Sequence, residues 1–515
     1  MSESISADKG YQDRAALECK HPGLLMAAVI GVSVMQLLDV TIANVALPHM
    51  QSSLGATLDN ITWVLTSFII ASVVATPVVG WLSDRVGSRT VFLWAVAGFL
   101  ISSMLCGAAT SLEEMVLFRI AQGISAAFVG PMSQTILLDT NPPSKHASAM
   151  SLWGAVVMVA PITGPMLGGF LTDTLNWRWV FYINLPLGIP TFIVLLWLLP
   201  SRAITDRRLD AVGALFLALA LGTLQLILDR GQGLGWLGSK EIVLELVIMA
   251  SAFWIFAVHT KTTQNALFPG ELFKSSAFLG VFIFMFVLGV ANVGIASILP
   301  TMYQTVWGYS AFDTGWLMMP RGIGVLISMT IVGRIMHKTD VRWLVSGGYM
   351  VAGFAMWQMS RWTLEMGQWP IVTSGFMQGL GLGFIFMPIN VAAMSILKPE
   401  HRPDGSSLLN LMRNVGGSFG ISVIVTMLSR NTQTSHADLA VHITDYTLPS
   451  IDIASMADRF AEYGSVIMYA IDAEINRQAL MIAYIDNFYM MAFFILFVSL
   501  LPLFLKPVKL GPGGR

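Results

Sequence analysis

Charge is what this chain of 515 residues has least of. Asp, Glu, Lys and Arg together make up 11% of it, against 55% apolar residues, whereas a soluble globular domain carries roughly 25% charged residues. A water-facing surface cannot be assembled from that supply, so a soluble fold is excluded. Cysteine is almost missing too. Cys19 lies in a polar leader and Cys106 in an apolar run, which makes neither a disulfide framework nor a metal site. There is no GxxxxGK[ST] phosphate loop, no paired-histidine zinc motif and no Gly-x-Ser-x-Gly elbow. Those absences argue against direct ATP use and against an enzyme. The net charge of -1, with basic residues scattered over short loops, leaves no footprint for nucleic acid. No cofactor is called for.

What is present is apolar length. The uncharged runs 62–83, 90–112, 146–172 and 366–397 meet or exceed the ~20 residues that cross a bilayer core. They lack the strict alternation of barrel strands, so they read as helices. Fourteen candidate spans follow, centred near Val34, Ala71, Ala97, Ser125, Pro161, Pro190, Leu219, Ala250, Leu288, Gly324, Met350, Gly381, Gly417 and Phe494. The first is too long for a signal-peptide core and has no small-residue cleavage site. An even count places both termini on one side, and the excess of Lys and Arg there makes that side cytoplasmic.

An internal repeat fixes the plan. LPHMQSSLG at Leu47–Gly55 is echoed by LPTMYQTVWG at Leu299–Gly308. The stretch from Gly80 to Arg85 is echoed from Gly333, with Asp340 a little later, and Gln122, Gly123 and Pro131 are echoed by Gln378, Gly379 and Pro388. The order is the same each time and the offset stays near about 250 residues, which leaves room for two extra helices between two sets of six. The expected segments are a tail 1–22, a six-helix bundle 23–200, two linking helices 205–262, a second six-helix bundle 275–506 with an outer loop 431–483, and a tail 507–515. Parallel repeats of this kind surround a substrate site at mid-depth. The outer loop is acidic, with Asp438, Asp445, Asp452, Asp458, Glu462, Asp472 and Glu474. It reads as soluble and part helical, resting on its own protein, docking a partner, or disordered.

Between the second and third spans lies Gly80-Trp-Leu-Ser-Asp84-Arg85-Val-Gly87-Ser-Arg89. Its glycines permit a tight turn, Asp84 can accept bonds from a helix end, and the arginines can pair with carboxylates across the bundle. This resembles the signature loop of the major facilitator superfamily, where it acts as a conformational switch. The fifth span carries Pro161, Gly164, Pro165, Gly168 and Gly169. That is a small-xxx-small packing face with two helix-bending prolines, and it resembles the Gly-Pro-x-x-Gly-Gly pattern of the antiporter branch. The first span, from Leu38 to Pro48, looks like the first-helix signature of the fourteen-helix drug:proton antiporters. With Leu228 to Gly231, Trp236 and the Met387-Pro388 helix, the likeness is to EmrB-type multidrug exporters over nearly the whole chain. The resemblance implies an all-α polytopic membrane protein with a major facilitator fold of fourteen transmembrane helices, six, two and six. It further implies drug:proton antiport of hydrophobic toxic compounds by alternating access, powered by the proton gradient in a bacterial inner membrane. Its expected partners are lipophilic drugs, protons, membrane lipids, a periplasmic membrane-fusion adaptor of the EmrA type and an outer-membrane channel of the TolC type. An importer or exchanger of one metabolite on the same fold stays open.

A charge at bilayer depth is costly unless it is paired or hydrated, so each is a candidate for function. Asp39 in the first span suits proton coupling or cationic-substrate binding, or a structural hydrogen-bond hub with Asn44 or another helix. Arg119 in the fourth resembles the arginine that tunes a nearby acid in proton-coupled facilitators, or it snorkels to the outer interface. Arg321 and Arg413 can face the cavity, and Asp229 beside Arg230 reads as a local ion pair. Cavity-lining candidates for substrate contact are Gln36, Asn44, Gln134, Trp153, Asn292, Tyr303, Gln304, Phe386, Asn390, Asn410 and Arg413, with Trp63, Phe68 and Phe384 as further aromatics. The 31 methionines suit an adaptable apolar site.

Overall fold

The computed structural model describes residues 15–202, 204–205, 208–263, 266–268, 270, 272, 276–336, 338–397, 401–442 and 464–504. Among the described residues the regular secondary structure is entirely helical. Fourteen long helices run in order: α1 Pro22–Leu54, α2 Trp63–Val86, α3 Ser88–Ala108, α4 Leu112–Thr140, α5 His146–Thr174, α6 Trp179–Leu198, α7 Ala211–Arg230, α8 Lys240–Thr262, α9 Ser276–Val306, α10 Ala311–Ile335, α11 Val341–Met359, α12 Gln368–Ile396, α13 Arg402–Val441 and α14 Gly464–Val498. Twelve of these are long and apolar enough, by length and composition, to cross a membrane. Each expected centre falls inside one helix.

Helix is the form that satisfies every peptide group without water. Polar residues mark the starts: Ser111 accepts from Glu114 N (3.2 Å) at α4, Asp210 from Gly213 N (2.8 Å) at α7, and Ser310 from Asp313 N (3.1 Å) at α10. Large apolar side chains such as Trp94, Leu117, Trp197 and Phe497 are exposed on the outside of the helices, where a lipid solvent suits them.

The repeat reappears as a packing rule. In the first bundle α1 packs on α5 and α6, α2 on α4, and α3 on α4 and α6. In the second, α9 packs on α13 and α14, α10 on α12, and α11 on α12 and α14. Close approach of α1 and α5 depends on glycine: a Cβ at Gly164 would overlap Thr41 Oγ1, and one at Gly168 would lie 3.1 Å from the Ile42 carbonyl. The inserted α7 and α8 form a hairpin whose first helix rests on α2. Here one expectation changes. Asp229 accepts a hydrogen bond from Thr66 on α2, while Arg230 reaches across the hairpin to Glu241. Neighbours in sequence on a helix point in different directions, so the Asp229–Arg230 pair is replaced by two bonds between helices.

The face at which α1 begins is called proximal below, and the opposite face distal. The bundles meet along α5 with α10 and α12, and along α13 with α2 and α4. At the distal face α13 continues to Val441 and α14 starts at Gly464, so both ends of the stretch read as an outer loop are helical. His436 and Asp472 join these extensions at 3.0 Å. Asp445, Asp452, Asp458 and Glu462 lie outside the described residues.

Candidate functional site

Asp39 stands near the middle of α1 and is 1% exposed. Its Oδ2 accepts from Arg119 Nη1 at 2.7 Å, and its Oδ1 accepts from Gln122 Nε2 at 2.9 Å and Asn184 Nδ2 at 2.8 Å. Arg119 and Gln122 are three apart on α4 and therefore share a face; Asn184 enters from the first turns of α6. Arg119 also donates Nε to the Val64 carbonyl (3.0 Å) and Nη1 to Gln122 Oε1 (2.8 Å), with its guanidinium 4.3 Å above the Phe68 ring. At 1% exposure it pairs inside the bundle rather than snorkelling outward. Asn44 is no part of this hub: it is exposed and bonds only the Val40 carbonyl of its own helix.

The network has a direction. Gln122 and Asn184 present donors to one carboxylate oxygen, and Arg119 presents a donor to the other, so the site is built around an acceptor-only group. Asn184 Nδ2 also donates to Ser103 Oγ (2.9 Å), while its Oδ1 is buried without a hydrogen-bond partner. A neutral, protonated Asp39 has an O–H to give, and Asn184 Oδ1 is the acceptor that a turned amide brings to it. The arrangement can thus hold a proton or a charge, at the cost of rearranging one side chain.

A second polar layer lies where the bundles meet. Gln134 on α4 donates to Asn390 Oδ1 on α12 (3.5 Å) and accepts from Ser406 Oγ on α13 (2.6 Å); Ser407 donates to the Thr76 carbonyl. Trp153 on α5 donates to Ser33 Oγ (3.0 Å) and stacks on Phe386 of α12, with ring centroids 6.1 Å apart. Gln134, Trp153, Phe386, Asn390 and Asn410 are all buried in this seam, so these cavity candidates bind bundle to bundle in the state seen here. These seam contacts lie in the proximal halves of their helices, and the proximal face is closed. Gln36 is half-buried on α1, and Asn44 and Gln304 face open space. Tyr303 is placed differently from expectation: it is 2% exposed, packed with Trp307 and Trp362 inside the second bundle. A helix apolar on all sides has no periodicity to say which face is core.

At the proximal end Asp139 closes α4. Its carboxylate meets Arg202, after α6, at 2.7 Å and Arg402, at the start of α13, at 3.6 Å. One buried acid therefore joins both bundles. Asp139→Asn leaves two arginines facing a neutral group; breaking such a pair costs about 3 kcal/mol. The melting temperature of the purified variant is expected to fall by several degrees, and an unchanged value would show that the pair is idle.

The loop between α2 and α3 turns at Gly87, whose φ of +97° suits glycine. Of its arginines, Arg85 is exposed, and Arg89 Nη2 donates to the Leu196 carbonyl at 2.6 Å, where the end of α6 leaves carbonyls unspent. The Asp84 carbonyl accepts from Thr205 N at 2.9 Å. Gly80 touches the other bundle, since a Cβ there would fall inside the Asp404 carboxylate at the start of α13. In the antiporter motif Gly164, Gly168 and Gly169 are buried and Pro165 is half-buried; the Pro161 side chain lies outside the described ones.

Two pseudo-equivalent six-helix bundles meeting at a polar seam, with a buried Asp39–Arg119 pair in the first, define a transporter scaffold. Residues 29–421 match the model of the Major Facilitator Superfamily. The multidrug export protein EmrB of Escherichia coli K12 is 35% identical over 98% of this chain and 99% of its own length. The fatty acid resistance protein FarB of Neisseria gonorrhoeae is 33% identical over 94% and 97%. Among solved structures, the human organic anion transporter MFSD10 superposes with a TM-score of 0.59 at 14% identity, covering 92% of this chain and 99% of that one, which speaks to fold alone. The chain belongs to the major facilitator superfamily, within its EmrB-type multidrug transporters, and is a multi-pass membrane protein.

Proposed function

We propose that this protein exports lipophilic toxic compounds in exchange for protons, by alternating access between its two bundles. The proximal face is the cytoplasmic one and the membrane is the bacterial inner membrane. The observation that carries the reading is the buried Asp39, whose two side-chain oxygens accept from Arg119, Gln122 and Asn184. With the proximal face closed, a proton arriving from the distal side neutralises Asp39 and loosens Arg119. The altered packing of α1 against α4 and α6 then favours the proximally open state, where the proton leaves and a new substrate enters. The names of the relatives, multidrug export and fatty acid resistance, support lipophilic cargo. The helical extensions of α13 and α14 beyond the distal face offer the surface on which a periplasmic adaptor docks to pass cargo to an outer-membrane channel.

In proteoliposomes loaded with a lipophilic dye, an imposed pH gradient is expected to drive dye movement at least about tenfold faster than the same vesicles treated with a proton–cation exchanger. Dye movement indifferent to collapse of the gradient rejects proton coupling.

A further inference from the structure

We infer that the second bundle holds a binding site for the acidic head of a lipophilic anion, gripped by Arg413 with Arg321 behind it. This names the substrate class of the transport path proposed above and rests on that reading.

The two bundles handle their buried cations differently. In the first, Arg119 has a protein carboxylate to meet. In the second, Arg413 donates to Asn410 Oδ1 at 3.1 Å and lies 5.7 Å from the centre of the Phe386 ring, while Arg321 donates to the carbonyl and Oδ1 of Asn292 at 3.2 and 2.7 Å. No carboxylate among the described residues pairs with either. A guanidinium carries five N–H donors, so most of the donors on these two side chains meet no protein acceptor among the described residues. An ion removed from water without a counter-charge costs several kcal/mol. Two such groups in one bundle are a standing demand for an anion.

The repeat shows what is missing. Gln122 helps Arg119 hold Asp39, and its echo Gln378 on α12 is wholly buried with both amide atoms lacking a hydrogen-bond partner among the described residues. Arg321 backs onto this stretch, because a Cβ on the neighbouring Gly379 would run into the Arg321 carbonyl. The second bundle therefore repeats the amide on α12 and sets a cation beside it from α10, but among the described residues no carboxylate pairs with that cation. Helix α9 runs beside both arginines: Gly289 backs against the Arg413 carbonyl, and Asn292, one turn on, accepts from Arg321. Arg413 is half-buried and reachable, whereas Arg321 is 4% exposed. Phe386, its ring centre 5.7 Å from Arg413 and stacked on Trp153, puts an aromatic, apolar wall next to the guanidinium for the body of the ligand when the seam opens. A lipophilic cation could stack on the aromatic rings but would meet the repulsion of two guanidinium groups.

Three dyes test this on the full chain in phosphatidylcholine nanodiscs, with empty discs subtracted: the anion 1-anilinonaphthalene-8-sulfonate, its neutral parent N-phenyl-1-naphthylamine and the cation tetraphenylphosphonium. The sulfonate is expected to bind about tenfold tighter than the neutral dye. Arg413→Gln should erase that preference while changing the neutral dye less than about twofold, and Arg413→Lys should retain most of it. Equal weakening of both dyes in the glutamine variant makes Arg413 a packing residue and overturns the proposal, as does tighter binding of the phosphonium than of the sulfonate. Binding of the neutral dye without the sulfonate removes the anion class and leaves lipophile export standing, whereas binding of none of the three removes both. Competition by added phosphatidylglycerol assigns the anion to a lipid headgroup, and indifference assigns it to a free solute; either keeps an anion on the arginines.

Discussion

Asp39→Asn is expected to abolish pH-dependent efflux while the protein remains folded and abundant in the membrane. An asparagine fits the space but cannot serve as an acceptor at both ends. Its Oδ1 can still take the bond from Arg119 Nη1, which leaves its NH₂ facing the donors of Gln122 and Asn184. Gln122 cannot turn freely, because its Oε1 already accepts from Arg119 at 2.8 Å. Asn184 can turn, giving up its 2.9 Å bond to Ser103 and bringing its unpartnered Oδ1 to the new amide. The variant thus fixes the arrangement proposed for protonated Asp39. Arg119 keeps the Val64 carbonyl, Gln122 and the Phe68 face, so the loss of stability stays near about 1–2 kcal/mol. Transport suffers far more, since a site that never releases a proton cannot complete a cycle. A drop of at least about a hundredfold, equivalent to about 2.7 kcal/mol, is expected in vesicle efflux driven by a pH gradient. Efflux at the original rate, with the original pH profile, would reject Asp39 as the coupling group.

Parts of this site were open to reading in the sequence and parts were not. A carboxylate inside an apolar run draws attention because its cost is high, and so Asp39 and Arg119 stood out one by one. That they meet depends on α1 crossing α4, which no local pattern encodes. Asn184 was invisible: at the start of α6 it looks like any polar residue at a helix entrance, and only the third dimension aims it at Asp39. Gln122 was seen as a marker of the repeat, not as a ligand of the pair. The same limit hid the Asp139–Arg402 link, whose members are 263 positions apart, and sent Asp229 to the wrong partner. The helices themselves were plain, because apolar length without water leaves the chain one choice. Which face of each helix is seam, core or lipid was not, which is why Tyr303 was expected in the cavity and lies in the core, and why Gln134, Asn390 and Asn410 lie in the closed seam.

Gly80→Val is expected to stop transport by holding the proximal face open. Helix α2 passes the start of α13 so closely that the first carbon of any side chain at position 80 falls inside the Asp404 carboxylate and 3.2 Å from the Asp404 backbone nitrogen. Residues Pro403 to Leu411 are buried around it, so α13 has little room to retreat while the seam stays shut. Overpacking of this kind costs about 1–3 kcal/mol, and it is charged to the closed state alone, because separated bundles leave position 80 free. At about 3 kcal/mol the balance between closed and open shifts by about a hundredfold. Efflux should fall by more than about tenfold with little change in the amount of folded protein. A cysteine placed at Ser406, buried in the seam, should then react with a water-soluble maleimide from the proximal side in the valine variant and not in its glycine parent. Adding Asp404→Ala removes the group that the new side chain strikes, so the double variant should regain part of the lost efflux, and its effect should differ from the sum of the two single ones. Wild-type efflux from Gly80→Val, or a cysteine at 406 that stays protected, would show that this contact does not govern the proximal gate.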